Sequence, residues 1–232
     1  MYIYHFQFGV KGLPLVFFHG WQQDSRSFFS LVPFLHQDYR LFFLDLPGFG
    51  QSENPPLSFS SFDYAKAITN WLKKRNLKQI VLIGHSFGGK IAAIISAENP
   101  KVVNKLILIA SSGVSHPRIV SNLVKIIPKK TLEKIPNRLK MFFASRDYKE
   151  AGLLLPIFKR VVKEDIHPIF AKIKIPTLII WGKRDQELPS QDGKVIQGLI
   201  KKSKLVLIEG DHFPFWQNPQ KIAKLIKNFI AK

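Results

Sequence analysis

The chain has 232 residues, 46% hydrophobic and 22% charged, enough for one domain with a sizeable buried core. It has no cysteine, which excludes disulfides and thiolate chemistry, and no apolar run near the roughly 18 residues of a membrane span, so an integral membrane protein is not expected. The formal charge of +19 invites a nucleic-acid reading, but 27 Lys outnumber 8 Arg and no run of five basic residues or aromatic–basic interleaving occurs.

Nucleic acid is therefore not expected as a partner, whereas attraction to an acidic carrier protein or an anionic surface stays open. The start, Met1 to Phe8, has neither a basic opening nor an apolar signal core, so a cytoplasmic protein is expected. Tyr2, Tyr4, Phe6 and Phe8 alternate with other residues, which predicts a first strand closed by the turn at Gly9 to Gly12. A second strand is expected over Leu13 to Phe18, ending at His19-Gly20-Trp21, then a helix over 25–35 and a strand from Arg40 to Leu44.

A Pro/Gly-rich loop follows, Asp45-Leu-Pro-Gly-Phe-Gly-Gln-Ser52, in which Asp45 holds the turn as Asx side chains do. Residues 62–75 read as a helix capped by Ser60 or Ser61. The run 78–83 reads as a buried strand and 90–98 as a helix stopped near Asn99-Pro100. Further strands are expected at 105–110, 176–181 and 204–208, and a last helix from Asn218-Pro219 with Ile222, Leu225, Ile226, Phe229 and Ile230 on one face.

Alternating strands and helices imply an α/β fold with a mostly parallel sheet covered on both faces. Residues 113–169 break the alternation with amphipathic pieces at 119–127 and 151–162, and carry 12 Lys/Arg against 5 Asp/Glu. The expected organisation is a core of residues 1–112 and 170–232 with a basic helical lid over 113–169.

Between the strand at 78–83 and the helix at 90–98 lies Gly84-His85-Ser86-Phe87-Gly88. Strand, G-x-S-x-G and helix in this order form a nucleophile elbow, which exposes a serine hydroxyl at the end of a sheet. The pattern alone is weak; its context makes it informative. The Phe87 N–H opens the helix, where partial positive charge favours an oxyanion. A serine needs a base, and that base an orienting acid. Asp185 and His212 each follow a strand, beyond the carboxyl end where ligands gather in open α/β sheets. Glu187 and Asp211 stand near as alternative acids, and the seven histidines show no H-E-x-x-H pairing that would suggest a metal.

The combination of His19-Gly20-Trp21, the 45–52 loop, the elbow, Gly182-Lys-Arg-Asp185 and Asp211-His212-Phe213-Pro214 resembles the α/β-hydrolase superfamily, single-lid serine esterase type, over nearly the whole chain. The His-Gly-Trp is similar to that of bacterial esterases acting on pimeloyl carrier-protein methyl ester, and carbon–carbon bond hydrolases resemble the chain too. The resemblance implies a catalytic triad of Ser86, Asp185 and His212, and an oxyanion hole from the N–H groups of Trp21 and Phe87. It further implies a small-molecule ester substrate held against Trp21, Phe87 and Phe213, and no metal or organic cofactor. Thioesterase or carbon–carbon bond hydrolase activity with the same triad, or a ligand sensor with little turnover, are the other expectations. With only 12 residues before Leu13, the family's N-terminal antiparallel strands are expected to be shortened. Chain length of the substrate and oligomeric state are not legible.

Overall fold

The computed structural model describes residues 1–114 and 152–232. Among these residues, seven strands form one sheet in the order β1-β3-β2-β4-β5-β6-β7. They are β1 (His5–Phe8), β2 (Pro14–Phe18), β3 (Arg40–Leu44), β4 (Ile80–His85), β5 (Val103–Ile109), β6 (Thr177–Gly182) and β7 (Ser203–Ile208). Only β1 runs antiparallel, pairing His5 with Leu44 through Phe8 with Leu41; all other pairings are parallel.

Because side chains alternate along a strand, the inner strands split their residues between two cores. Val16, Phe18, Leu82, Leu106 and Leu108 face one side, where α2 (Ser61–Lys74) and α3 (Phe87–Glu98) pack. Leu15, Phe17, Val81, Ile83, Ile107 and Ile109 face the other, against the 3-10 helix Ser25–Leu31 and the last helix, α8 (Pro219–Ile230). Helix α2 starts with a capping box: the Ser60 side chain accepts from Asp63 N, and Asp63 accepts from Ser60 N.

Several expected boundaries move, each for a local reason. The first strand covers only residues 5–8, because residues 2–4 bond to the following loop instead. Tyr2 N donates to Glu53 Oε2 at 2.7 Å, Tyr4 N to Ser52 Oγ at 2.9 Å, and Asp45 N to Tyr4 O at 2.9 Å. The helix expected over 25–35 is a 3-10 helix followed by a four-residue α1 (Val32–Leu35), since Pro33 has no N–H to continue an α-helical ladder. The fourth strand starts at Ile80 and not at residue 78, after Gln79 turns at φ +53°.

Between β5 and β6 the described residues form a 3-10 turn (Gly152–Leu154), α4 (Leu155–Val161) and α5 (His167–Lys172). The amphipathic piece expected at 119–127 lies outside the described residues. Among the described residues outside the expected lid, α6 (Ser190–Leu199) and the single turn α7 (Pro214–Gln217) were not expected. The sequence of α6 carries Gly193 and Gly198 and no side-chain cap, so it lacks a helix signature. Gly193 is there for space: a Cβ would come within 2.9 Å of the Trp181 ring.

Candidate active site

Ser86 joins β4 to α3 at φ 50°, ψ −115°, a backbone region costly for a residue with a side chain. Its carbonyl accepts from Gly89 N, Lys90 N and Ser112 N at 3.0–3.2 Å, and its N–H donates to Ile109 O, so the bend is held from both sides. Gly84 and Gly88 leave room for the turn. A Cβ on Gly84 would sit 2.4 Å from Gly88 O, and one on Gly88 would sit 2.2 Å from Phe18 O. The hydroxyl thus leaves the sheet into a cleft of about 840 Å³, bordered by Trp21, Phe87, Phe158, Glu187, His212 and Phe213 among others. A smaller cavity of about 260 Å³, lined by residues such as Leu72, Lys73 and Asn99, contains neither Ser86 nor His212.

His212 comes to this cleft from the loop after β7, and Asp185 from the loop after β6. His212 Nδ1 lies 2.8 Å from Asp185 Oδ2, and the Asp185 side chain is fully buried. Asp185 Oδ1 also accepts from Glu187 N and Leu188 N, both at 2.9 Å. A carboxylate oxygen accepts, so the Asp185 contact assigns an N–H to Nδ1 of the ring. Among the described residues, Nε2 is not hydrogen-bonded to Ser86 Oγ; its recorded neighbour is Glu187 Oε2 at 3.5 Å. Asp211, the other alternative acid, accepts from Phe213 N and bonds with the Gln217 side chain, away from the imidazole.

Trp21 packs edge-on against Phe49 and Phe87 and tilted against Phe158. Neither the Trp21 nor the Phe87 backbone N–H finds an acceptor among the described residues. Phe87 opens α3, where an orphan N–H is normal.

Two other histidines shape the surroundings. His19 is wholly buried, donating from Nδ1 to Gly20 O at 2.7 Å and accepting Leu46 N at Nε2, 2.9 Å away. Burial pulls its pKa down to about 4. His85 donates from Nε2 to the carbonyl of His212 at 2.9 Å, fixing that residue's backbone. Burial and the neighbouring His212 push the His85 pKa well below its usual value.

Asp45 does more than hold its own turn. Its buried carboxylate accepts from Gln51 N and also from Ser25 N, each at 2.8 Å, joining the loop after β3 to the helix after β2.

Lys90 escaped the sequence reading. It is 3% exposed on α3 and reaches up to donate to Val161 O at 2.6 Å and Glu164 O at 2.8 Å. Burial draws its pKa down to about 8, against the upward pull of Glu164 and Asp165. The Glu164 carboxylate accepts from Ser61 N at the start of α2, where a helix favours negative charge. A lysine within Phe87-Gly-Gly-Lys-Ile-Ala-Ala-Ile-Ile, a helix apolar all round, was the available signal.

Residues 14–138 match the family described as alpha/beta hydrolase fold, more than half of the chain. The chain belongs to the alpha/beta hydrolase family. Within that family, its sequence is 29% identical over 257 residues to a pimeloyl-[acyl-carrier protein] methyl ester esterase of Wigglesworthia glossinidia brevipalpis, covering 97% of this chain and 96% of that one. It is 26% identical over 268 residues to the monoacylglycerol lipase ABHD6 of Homo sapiens, covering 98% and 80%. Among solved structures, a membrane phospholipase A described as a bacterial virulence factor superposes with a TM-score of 0.81 at 26% identity, covering 99% of this chain and 82% of that one. The alpha/beta hydrolase relatives are thus of esterase and lipase type. No helix among the described residues is long and apolar enough to cross a membrane.

Proposed function

We propose that the chain is a serine carboxylesterase that opens a small-molecule ester through an acyl-enzyme on Ser86. The chief support is the His212 imidazole, held through Nδ1 by a buried carboxylate while it borders the same cleft as Ser86. A neutral imidazole oriented in this way is a base at Nε2.

In this scheme Ser86 Oγ bonds to the ester carbonyl carbon while His212 Nε2 takes its proton. The N–H groups of Trp21 and Phe87 receive the oxyanion. Collapse breaks the carbon–oxygen bond, and Nε2 returns the proton to the departing alcohol. Water then repeats the cycle on the acyl-enzyme, releasing the acid and restoring Ser86. A Ser86–His212 hydrogen bond is not required beforehand, because such bonds commonly tighten only with substrate.

Trp21, Phe87 and Phe213 would give the substrate an apolar wall. Residues 113–169 act as the lid, consistent with Phe158, Val161 and Val162 of its described part bordering the cleft. The esterase and lipase names of the relatives favour an oxygen ester over a thioester or carbon–carbon bond. The charge of +19 favours an acidic carrier or anionic surface as the place where that ester is met.

Ser86→Ala tests the assignment. Hydrolysis of a p-nitrophenyl short-chain ester is expected to fall by at least about a thousandfold while the circular dichroism spectrum is unchanged. Wild-type turnover in that variant would sink the scheme.

A further inference from the structure

We propose that Glu187 is the leaving-group recognition residue of the cleft, selecting esters whose alcohol carries a hydroxyl or ammonium group close to the ester oxygen. The proposal rests on the acyl-transfer scheme above and goes beyond it in naming the substrate class.

The backbone of Glu187 is held in place. Asp185 accepts the N–H groups of Glu187 and Leu188 on one oxygen and faces His212 Nδ1 with the other. That turn folds the chain back across the imidazole, so that Glu187 Oε2 lies 3.5 Å from Nε2. Two carboxylates therefore bracket one ring. The inner one is fully buried; the outer one is 55% exposed, on the cleft side. Among the described residues, no lysine or arginine lies within ion-pair distance of Glu187. The cleft lysine, Lys90, is committed to the Val161 and Glu164 carbonyls.

In the acyl-transfer scheme Nε2 hands its proton to the departing alcohol oxygen, which must come within about 3 Å of it. An atom one or two bonds further along the alcohol then lies within reach of Glu187. A carboxylate only accepts hydrogen bonds. It favours a neighbouring hydroxyl, as in a polyol ester, or an ammonium, as in an amino-alcohol ester. A plain alkyl group would strip water from the carboxylate and return nothing, and an anionic alcohol would be repelled.

The test compares kcat/KM for 2,3-dihydroxypropyl butyrate and propyl butyrate, which share the acyl group and the three-carbon alcohol skeleton. Wild type is expected to favour the dihydroxypropyl ester by about tenfold or more. Glu187→Ala is expected to bring the ratio to within about twofold of unity, and Glu187→Gln, which keeps a carbonyl acceptor, to retain part of it. A general disturbance of His212 would lower both substrates together and leave the ratio in place, so the ratio isolates recognition. A wild-type ratio near one, or an unchanged ratio in Glu187→Ala, overturns the proposal. Ser86→Ala separates the two levels. If it is inactive while the ratio fails to move, only the role of Glu187 is lost; if it still turns over both esters, the acyl-transfer scheme goes as well.

Discussion

The Asp185 carboxylate meets the His212 imidazole at 2.8 Å with one oxygen and caps two backbone N–H groups with the other. Its two oxygens are therefore not interchangeable. In Asp185→Asn the two backbone donors would claim the amide oxygen and turn the NH2 group toward Nδ1. The imidazole would then carry its proton on Nε2 and could not accept one from Ser86. The variant is expected to lose on the order of 10² to 10⁴ in kcat with KM little changed, measured on a p-nitrophenyl ester. A loss under tenfold would shift the orienting role to another carboxylate.

Gly88→Ala is expected to fail structurally. The new Cβ would lie 2.2 Å from Phe18 O and 2.5 Å from His19 O, both main chain. Overpacking of this kind costs about 1–3 kcal/mol or more, readable as a lower denaturant midpoint. Gly198→Ala in α6 is the control: its Cβ meets nothing within 4 Å. It is expected to be neutral or to stabilise by up to about 1 kcal/mol.

His19 makes the fold sensitive to acid. Its folded pKa of about 4 lies below the usual 6.5, so the unfolded chain binds more protons between those values. Its contribution is whole above pH 6.5 and drains away as pH falls toward 4, by about 3 kcal/mol at most. Protonating Nε2 would set it against the Leu46 N–H. His19→Asn is expected to be less stable at pH 7 but to lose less on acidification. Parallel urea midpoints from pH 7 to 4 for both proteins would count against this.

Lys90 gives the opposite end of the range. Its folded pKa of about 8 against 10.5 in the unfolded chain means that the buried ammonium burdens the fold below pH 8. The burden lifts as pH rises from 8 to 10.5, and the neutral amine still has two protons for its two carbonyls. Wild type is thus expected to gain stability relative to Lys90→Met across that window, by about 3 kcal/mol at most. Melting temperatures that track each other from pH 8 to 10.5 would refute it.

The centre of the sheet was legible in the sequence because its inner strands are buried on both faces and read as unbroken apolar runs, as in Ile80-Val81-Leu82-Ile83 and Leu106-Ile107-Leu108-Ile109. The elbow was legible because a close crossing of backbones demands glycine at Gly84 and Gly88. What stayed hidden depends on contacts between distant segments. Tyr2 and Tyr4 alternate like a strand yet bond to Ser52 and Glu53. Helix α6 packs closely on Trp181 at Gly193, a contact that its own pattern does not announce. Glu187 was weighed as a rival to Asp185, but nothing local could tell that it faces the other ring nitrogen.

Lys90 fastens α4 and its following turn to the elbow helix through main-chain oxygens of Val161 and Glu164. A peptide oxygen is present whatever residue bears it, so this joint tolerates exchange on its upper half. The side chains at 161 and 164 can change without removing it, and the end of α4 stays tied to the strand-helix corner below. What the cleft wall presents and what anchors it are in this way entrusted to different atoms of the same residues.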